Sequence, residues 1–504
     1  MDYLSIAKLS YIDWTIIGCY LVISLGLGLF FSKKITNMVD FIGAGRKIGL
    51  YLGVASMAGT EMGLITIMYS AQKGFTGGFA AFHIAVVAGV VTFLVGLSGF
   101  IVVPLRKMKV LTIPEFYEVK FNKKVRVLGG VLLTLGGVLN MGLFLKIGAL
   151  FLVGVSGLNH DVYPWVMTGL LIVILVYTCL GGMWSVIVTD FMQFCIMSLG
   201  VLIVVGISIY TLGFNTIFDV VLAQKGNAGF DPFSAEGDFG LSYVLWMIFT
   251  AGLVSCAIWP TAIARALVMK SEKLVKTQYM LSSVTFMIRF LIPYFMGICA
   301  FVYFVTYNPE LFNLFGQSIT NLYAFPFYLK EVLPVGVLGF FVAAMLAAFM
   351  STHDGYLLCW SSVICQDIIA PLSKKKLTDK TRLFITRLCI VVIGIYIWYW
   401  GLFYEGTDDI WDYMAITGAI YFTGAFAVLV GGLYWDKSSS YGAMAALICG
   451  VFAIFGLEPL RVKFGLEFLS GAQIGLLTAF ISCMALVVVS LLFPDTNSKQ
   501  GLEI

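Results

Sequence analysis

The sequence predicts an all-α integral membrane protein of about thirteen transmembrane helices. Of its 504 residues 60% are hydrophobic and only 12% charged, with a mean hydropathy of +0.97, a balance outside the range of water-soluble globular chains. Windows of about 20 apolar residues recur along the chain, each long enough at 1.5 Å rise per residue to cross a hydrocarbon core of about 30 Å. Lys and Arg also alternate between rich and poor loops, which is the mark of a chain threaded repeatedly through a bilayer.

The windows begin near residues 12, 49, 76, 126, 162, 185, 241, 279, 335, 382, 410, 440 and 472. The first, Ile12 to Phe31, exceeds the apolar core of a secretory signal, has no basic stretch before it and is followed by Lys33 and Lys34, so it reads as an uncleaved span. Loops after spans 1, 3, 7, 9 and 11, with the C-terminal tail, hold about 22 of the 31 Lys and Arg, against six on the opposite side (Lys8, Lys73, Lys225, Lys330, Arg461 and Lys463). Basic residues near helix ends resist translocation. The expectation is therefore a multi-pass protein of the cell membrane, N-terminus outside and C-terminus cytoplasmic. The longer loops, 211 to 240 and 306 to 333, then lie outside as caps.

Composition also excludes several classes. The net charge of +4 is a topology signal, and no basic domain is available for nucleic acid. Ten cysteines lie mostly in apolar segments with no CxxC and no Cys/His cluster, so no disulfide framework and no metal site other than one for a simple cation is expected. Three histidines, no GxxxxGK[ST] and no soluble domain argue against a nucleotide-driven pump. No enzyme activity, cofactor or obligate protein partner is expected; the bilayer itself is the partner.

Function concentrates where the helix pattern fails, because a broken span exposes backbone groups that must line a cavity or an ion site. Span 2 contains GVASMAGTEMGLITIMYSAQKGFTGG, with Gly53, Gly59 and Gly63 around Thr60 and Glu61; span 7 contains TAGLVSCAIWPTAIAR, interrupted by Gly252 and Pro260. The breaks stand five spans apart, as they would if spans 2 to 6 and 7 to 11 were inverted repeats. In span 9 the hydroxyl pair Ser351 and Thr352 sits mid-membrane. Hydroxyls and freed carbonyls are hard oxygen ligands for a small cation, although such a pair can also return hydrogen bonds to its own helix.

Four signatures in order, VDFIGAGRKIG (39 to 49), LTIPEFYEVKF (111 to 121), YTCLGGMWSVIVTDFMQ (177 to 193) and AAFMSTHDGYLLCWSSVICQD (347 to 367), resemble the hallmarks of the sodium:solute symporters, over span 1 to about residue 435. The resemblance implies a leucine-transporter-type fold. Its parts would be one extra first helix (12–31), repeats at 49–211 and 241–435, and two C-terminal helices (440–493), all in a single transport domain (1–504). It also implies a sodium site with carbonyl ligands at Gly59, Met62 and Ala348 and hydroxyl ligands at Ser351 and Thr352, and places Asp190 on the inner sodium route.

Ionisable residues stranded inside spans mark the solute site. Glu61 matches an acidic position of the sodium/proline branch. Arg289, in FMIRFLIPYF, is similar to a sugar-contacting lysine of the sodium/galactose branch. A guanidinium there suits a carboxylate-bearing solute, or else pairs with Glu61 or Asp412. Thr66 matches a solute-contacting position, and His83 either lines the cavity or bonds a neighbouring carbonyl. Asp412 and Tyr413 are candidates for an outer gate; Lys146 has no role carried over. Ala85, Ala88 and Met414 stand where the sugar branch has polar contacts, and Gly252 and Cys256 where the proline branch has aromatics. The expectation is sodium-coupled symport of a small organic solute, a monocarboxylate or amino acid, by alternating access. A proton-coupled carrier, with Glu61, His83 or Lys146 titrating, and a transporter-like sensor are the alternatives.

Overall fold

The computed structural model describes residues 9–32, 46–234, 237, 239–315, 321–375, 377–404 and 410–495. Helix dominates, and every hydropathy window falls on it. The main helices are α1 (Tyr11–Ser32), α2 (Leu50–Glu61), α3 (Leu64–Gly77), α4 (Phe82–Ser98), α5 (Lys123–Met141), α6 (Phe144–Ser156), α7 (Tyr163–Leu212), α8 (Leu241–Met247), α9 (Pro260–Leu267), α10 (Glu272–Tyr307), α11 (Val337–Val363), α12 (Asp379–Phe403), α13 (Ile410–Tyr434), α14 (Ser440–Gly450) and α15 (Gly471–Leu492). Among the described residues, nine helical runs are long and apolar enough to cross a membrane, or ten if the bent pair Ser440–Gly456 and Glu458–Phe464 makes one span. This differs from thirteen windows because some runs carry parts of two windows, as Leu64–Ser98 does, while Tyr11–Leu27 and Tyr163–Val176 are shorter.

The 50 residues of α7 cover two windows. Near its end Ser208 accepts a hydrogen bond of 2.7 Å from Tyr328, and just before its start Gly154 packs against Pro326. Both partners belong to the short helix Ala324–Val332. A straight helix of this length would part its ends by about 75 Å, so the segment does not run straight.

Span 2 is broken at Met62 (φ −97°, ψ 69°) and Gly63 (φ −83°, ψ 165°). Span 7 is interrupted differently. A wide-turned stretch, Ile248–Val254, leads into a single turn, Ser255–Ala257, and the chain extends at Trp259 (ψ 126°) before Pro260 starts α9. Proline has no N–H to lose at a helix start, so it restarts the helix there without cost. The two broken spans meet at one end, where an isolated bridge joins Ile48 to Met269 and Arg106 forks onto the Met269 carbonyl at 2.9 and 2.8 Å.

The second half of the broken span lies against α10 with almost no side chain between them. A Cβ on Gly297 would collide with the Ala71 carbonyl, and one on Gly74 with that of Tyr294. Small residues at such crossings let backbones approach, and in lipid this packing supplies much of the association energy. We expect Gly297→Ala to cost about 3 kcal/mol through the enforced separation, seen as a lower melting temperature of the purified protein. Gly169→Ala, whose Cβ meets open space, should leave the melting temperature unchanged.

Candidate functional site

The break in span 2 leaves the carbonyls of Gly59, Thr60 and Glu61 in the last turn of α2, where intrahelical N–H donors run out. Side chains take their place. Ser351 Oγ, on α11, donates to the Gly59 carbonyl at 2.7 Å, and Thr352 Oγ1 donates to that of Thr60 at 3.2 Å. Thr66 Oγ1, on α3, donates to that of Glu61 at 3.2 Å. A Cβ on Gly63 would occupy the position of Thr352 Oγ1, so glycine is what admits the hydroxyl. Ala348 lies one turn before Ser351 and Thr352 on the same face of α11, and Met62 forms the break itself; both are buried. The structure thus brings Gly59, Thr60, Ser351 and Thr352 into contact as a cluster of oxygens.

Below this cluster lies Asp190, fully buried on α7. Its Oδ2 accepts from Ser56 Oγ at 2.7 Å and Thr60 Oγ1 at 3.1 Å and is 3.5 Å from Arg265 Nη2, which itself donates to Thr60 Oγ1 at 2.7 Å. Thr60 therefore serves both layers, its carbonyl facing Thr352 and its hydroxyl facing the Asp190–Arg265 pair. Sequence reasoning missed Arg265, because hydropathy counting leaves it among the basic residues of the loop after span 7. In the structure only 1% of it is exposed. Its place five residues after the helix-restarting Pro260 was the available signal.

On the other side of the break a cavity of about 90 Å³ opens between α2, α3, α10, α11, α13 and the interrupted span 7. A water needs roughly 10–15 Å³ on this measure, so the room matches a solute of a handful of non-hydrogen atoms. Its walls are aromatic (Tyr69, Phe144, Trp259, Phe290, Trp411, Phe422), and Glu61, Arg289, Thr66, Ser255 and Asn140 are its main polar groups. Glu61 Oε2 accepts from Arg289 Nη1 at 2.8 Å and Oε1 from Thr261 Oγ1 at 2.6 Å, while Arg289 Nη2 donates to Ser255 Oγ at 2.9 Å. The guanidinium also lies over the rings of Phe286 and Phe290, at 4.0 and 4.5 Å, a favourable cation–π position. Of the two pairings open to Arg289 from sequence, the structure shows the one with Glu61.

Asp412 is instead held by Lys73 at 3.2 Å and receives a long hydrogen bond of 3.5 Å from Tyr243. This ties α3, α8 and α13 together beyond the cavity. Its neighbour Tyr413 points elsewhere, donating to the Leu139 carbonyl at 2.8 Å and accepting from Trp400 Nε1 at 3.0 Å, so it braces α13 against α5 and α12 and does not join the Lys73–Asp412 contact. His83 is not among the cavity-lining side chains. Its Nδ1 sits 2.6 Å from the Ala80 carbonyl and its ring packs on Phe239, because the first turn of α4 turns it toward the 226–240 segment. Lys146 reaches the Tyr404 carbonyl at 2.8 Å.

The family model described as the sodium:solute symporter family matches residues 41–450. The chain belongs to the sodium:solute symporter family. Among curated relatives of this family member, a sodium/glucose cotransporter of Vibrio parahaemolyticus is 25% identical over 90% of this chain and 87% of that one. The sodium/proline symporter 2 of Staphylococcus saprophyticus is 25% identical over 88% and 86%. Among solved structures, a sodium-coupled sialic acid symporter in a substrate-bound outward-open state superposes with a TM-score of 0.81 at 20% identity, covering 97% of this chain and all of that one. MhsT in complex with L-phenylalanine superposes at 0.57 and 13% identity, over 88% and 98%. These likenesses establish the leucine-transporter-type fold, and family membership establishes a multi-pass membrane transporter of the sodium-coupled symport class.

Arg265→Gln in this symporter strips the charge partner from a buried carboxylate, a loss of about 3–5 kcal/mol when one member of such a pair is removed. We expect a lowered melting temperature that Asp190→Asn, added to the same chain, partly restores. Equal destabilisation by single and double variants would show that the two charges do not depend on each other.

Proposed function

We propose that this protein is a sodium-coupled symporter of the plasma membrane that carries a small solute bearing a carboxylate, foremost a zwitterionic amino acid, into the cell. The observation that supports it most is the pair of hydroxyl contacts, Ser351 on Gly59 and Thr352 on Thr60, made across the break in span 2. Each contact already joins two oxygens through one proton. A sodium ion at the same place needs lone pairs, so the two hydroxyls turn their protons away and join the carbonyls of Gly59, Met62 and Ala348 as five hard oxygen ligands. The ion then fastens the broken span to α11 more firmly than two hydrogen bonds do.

Coupling to solute follows from adjacency. Glu61 is the last residue of α2, next to Thr60, and its side chain meets Arg289 on the cavity wall. Fixing the break by sodium fixes where Glu61 presents its carboxylate, and so orders the solute site; the solute in turn stabilises the sodium-bound break. A zwitterion suits this wall because its carboxylate can take the Arg289 fork while its ammonium takes Glu61, leaving neither buried charge unpaired. The repeats at 49–211 and 241–435 then rock about the site, with the N-terminus outside, Lys73–Asp412 on the outer side and Asp190 on the path by which sodium leaves inward.

In proteoliposomes we expect Ser351→Ala with Thr352→Ala to raise the sodium concentration for half-maximal uptake roughly tenfold or more, the equivalent of about 1.4 kcal/mol of lost ligation. Unchanged sodium dependence would remove the ion site from this position. Uptake that persists without sodium and collapses with a protonophore would make the proton the driving ion. In a panel of small metabolites, Arg289→Gln should depress uptake of carboxylate-bearing solutes far more than that of neutral ones; a neutral sugar as best substrate of the unmodified protein would overturn the carboxylate reading.

A further inference from the structure

A second concavity, unrelated to the transport cavity, lies at the end of the bundle where the sequence carries most of its basic loops. It is a bowl of about 500 Å³ between the start of α5, the stretch after α11 and the start of α12. Its acidic residues each take a donor on one carboxylate oxygen, while the second oxygen of Asp367 is buried without one. Glu118 takes Arg126 Nη1 at 2.6 Å, Glu115 takes the Leu111 N–H at 2.6 Å, and Asp367 behind the wall takes Arg126 Nε at 2.9 Å. The remaining donor of Arg126, Nη2, is on the Gln366 carbonyl at 3.0 Å.

What stays uncommitted on the wall is positive or donating. The ammonium groups of Lys123, Lys374 and Lys375 line the bowl and have no hydrogen-bond or ion-pair partner among the described residues. At its floor Gln366, 7% exposed, receives Arg382 Nη1 on its Oε1 at 2.9 Å, but its Nε2 and the Arg382 Nε are buried without an acceptor. Buried N–H donors without partners are uncommon and costly. Here two lie behind a wall that carries three lysines, and a small turn of the Gln366 or Arg382 side chain toward the bowl would offer them to a multiply charged oxyanion. Leu372 and Phe384, near in sequence to the lining residues Pro371 and Arg382, are exposed apolar side chains.

We propose that this bowl is a binding site for a phosphate-bearing anion, its oxygens on the Gln366 and Arg382 donors and its charge facing Lys123, Lys374 and Lys375. Because it joins the segments that flank α5, α11 and α12, an occupant adds a further link between three helix ends already tied by Arg126, Gln366 and Cys365. The phosphate can belong to an anionic lipid headgroup or to a free phosphate compound, and the two are separable by experiment.

The test uses the full-length protein in neutral detergent and a variant with Lys123→Gln, Lys374→Gln and Lys375→Gln, all three exposed positions away from the transport cavity. Melting temperature is followed on titration with phosphatidylglycerol, phosphatidylcholine or inorganic phosphate, at fixed ionic strength. Phosphatidylglycerol should stabilise the unmodified protein while phosphatidylcholine does not, and the triple variant should need roughly tenfold more of it for the same shift, since each basic residue near an anionic surface contributes separately. The same discrimination with inorganic phosphate alone would support the site with a free anion as its occupant. Identical responses of protein and variant, or an unmodified protein that does not distinguish either phosphate source from phosphatidylcholine, would overturn the proposal.

Discussion

The architecture depends on one constraint: a backbone carbonyl inside a bilayer has no water to turn to. Breaking span 2 at Met62 and Gly63 strands three carbonyls in succession, and each is met by a hydroxyl from a different position, Ser351, Thr352 and Thr66. Two of these come from α11, so the broken span is held to it at the middle of the membrane. The interruption of span 7 is then positioned against the first by Thr261 on Glu61 and by the bridge between Ile48 and Met269. Among the described residues, Ser351, Thr352, Thr66, Asp190, Arg265 and Arg289 all make contact with the last turn of α2.

That constraint also explains the division of the interior into two polar layers. Thr60 stands between them, with its carbonyl toward Thr352 and its hydroxyl toward Asp190 and Arg265. Glu61, one residue on, faces the cavity and Arg289. Successive side chains of a helix point about 100° apart, so two neighbouring residues face two different polar layers. In this chain a single peptide unit, between Thr60 and Glu61, separates the two layers.

Much of this was legible in the sequence, for physical reasons. Apolar length set the spans, and the glycines around Thr60 and Glu61 set the break, because only a failed helix puts Gly, Thr and Glu together at mid-membrane. The hydroxyl pair in span 9 was ambiguous by itself; its long-range contact with Gly59, 292 residues away, is a tertiary fact that periodicity does not contain. For the same reason the choice of Glu61 over Asp412 as partner of Arg289 was open until the helices were in place. His83 stood open between lining the cavity and bonding a neighbouring carbonyl, and in the folded chain its ring lies against the Ala80 carbonyl. Arg265 was hidden by the opposite error, since a cation at the end of an apolar run reads as a topology signal even where the helix buries it.

The pairing of charges along the path has an electrical consequence. Lys73 with Asp412, Glu61 with Arg289 and Arg265 with Asp190 are three neutral couples in series from one end of the bundle to the other. Each couple sums to zero, so these six groups together add no net charge to the interior. Under the cargo proposed above, a zwitterion carried with one sodium ion, the change of facing would carry one positive charge, on which a potential of 100 mV acts with about 2.3 kcal/mol. On that proposal the membrane voltage would act on the loaded step and not on the return, so the matching of the protein's own acids and bases would decide which half of the cycle is electrically driven.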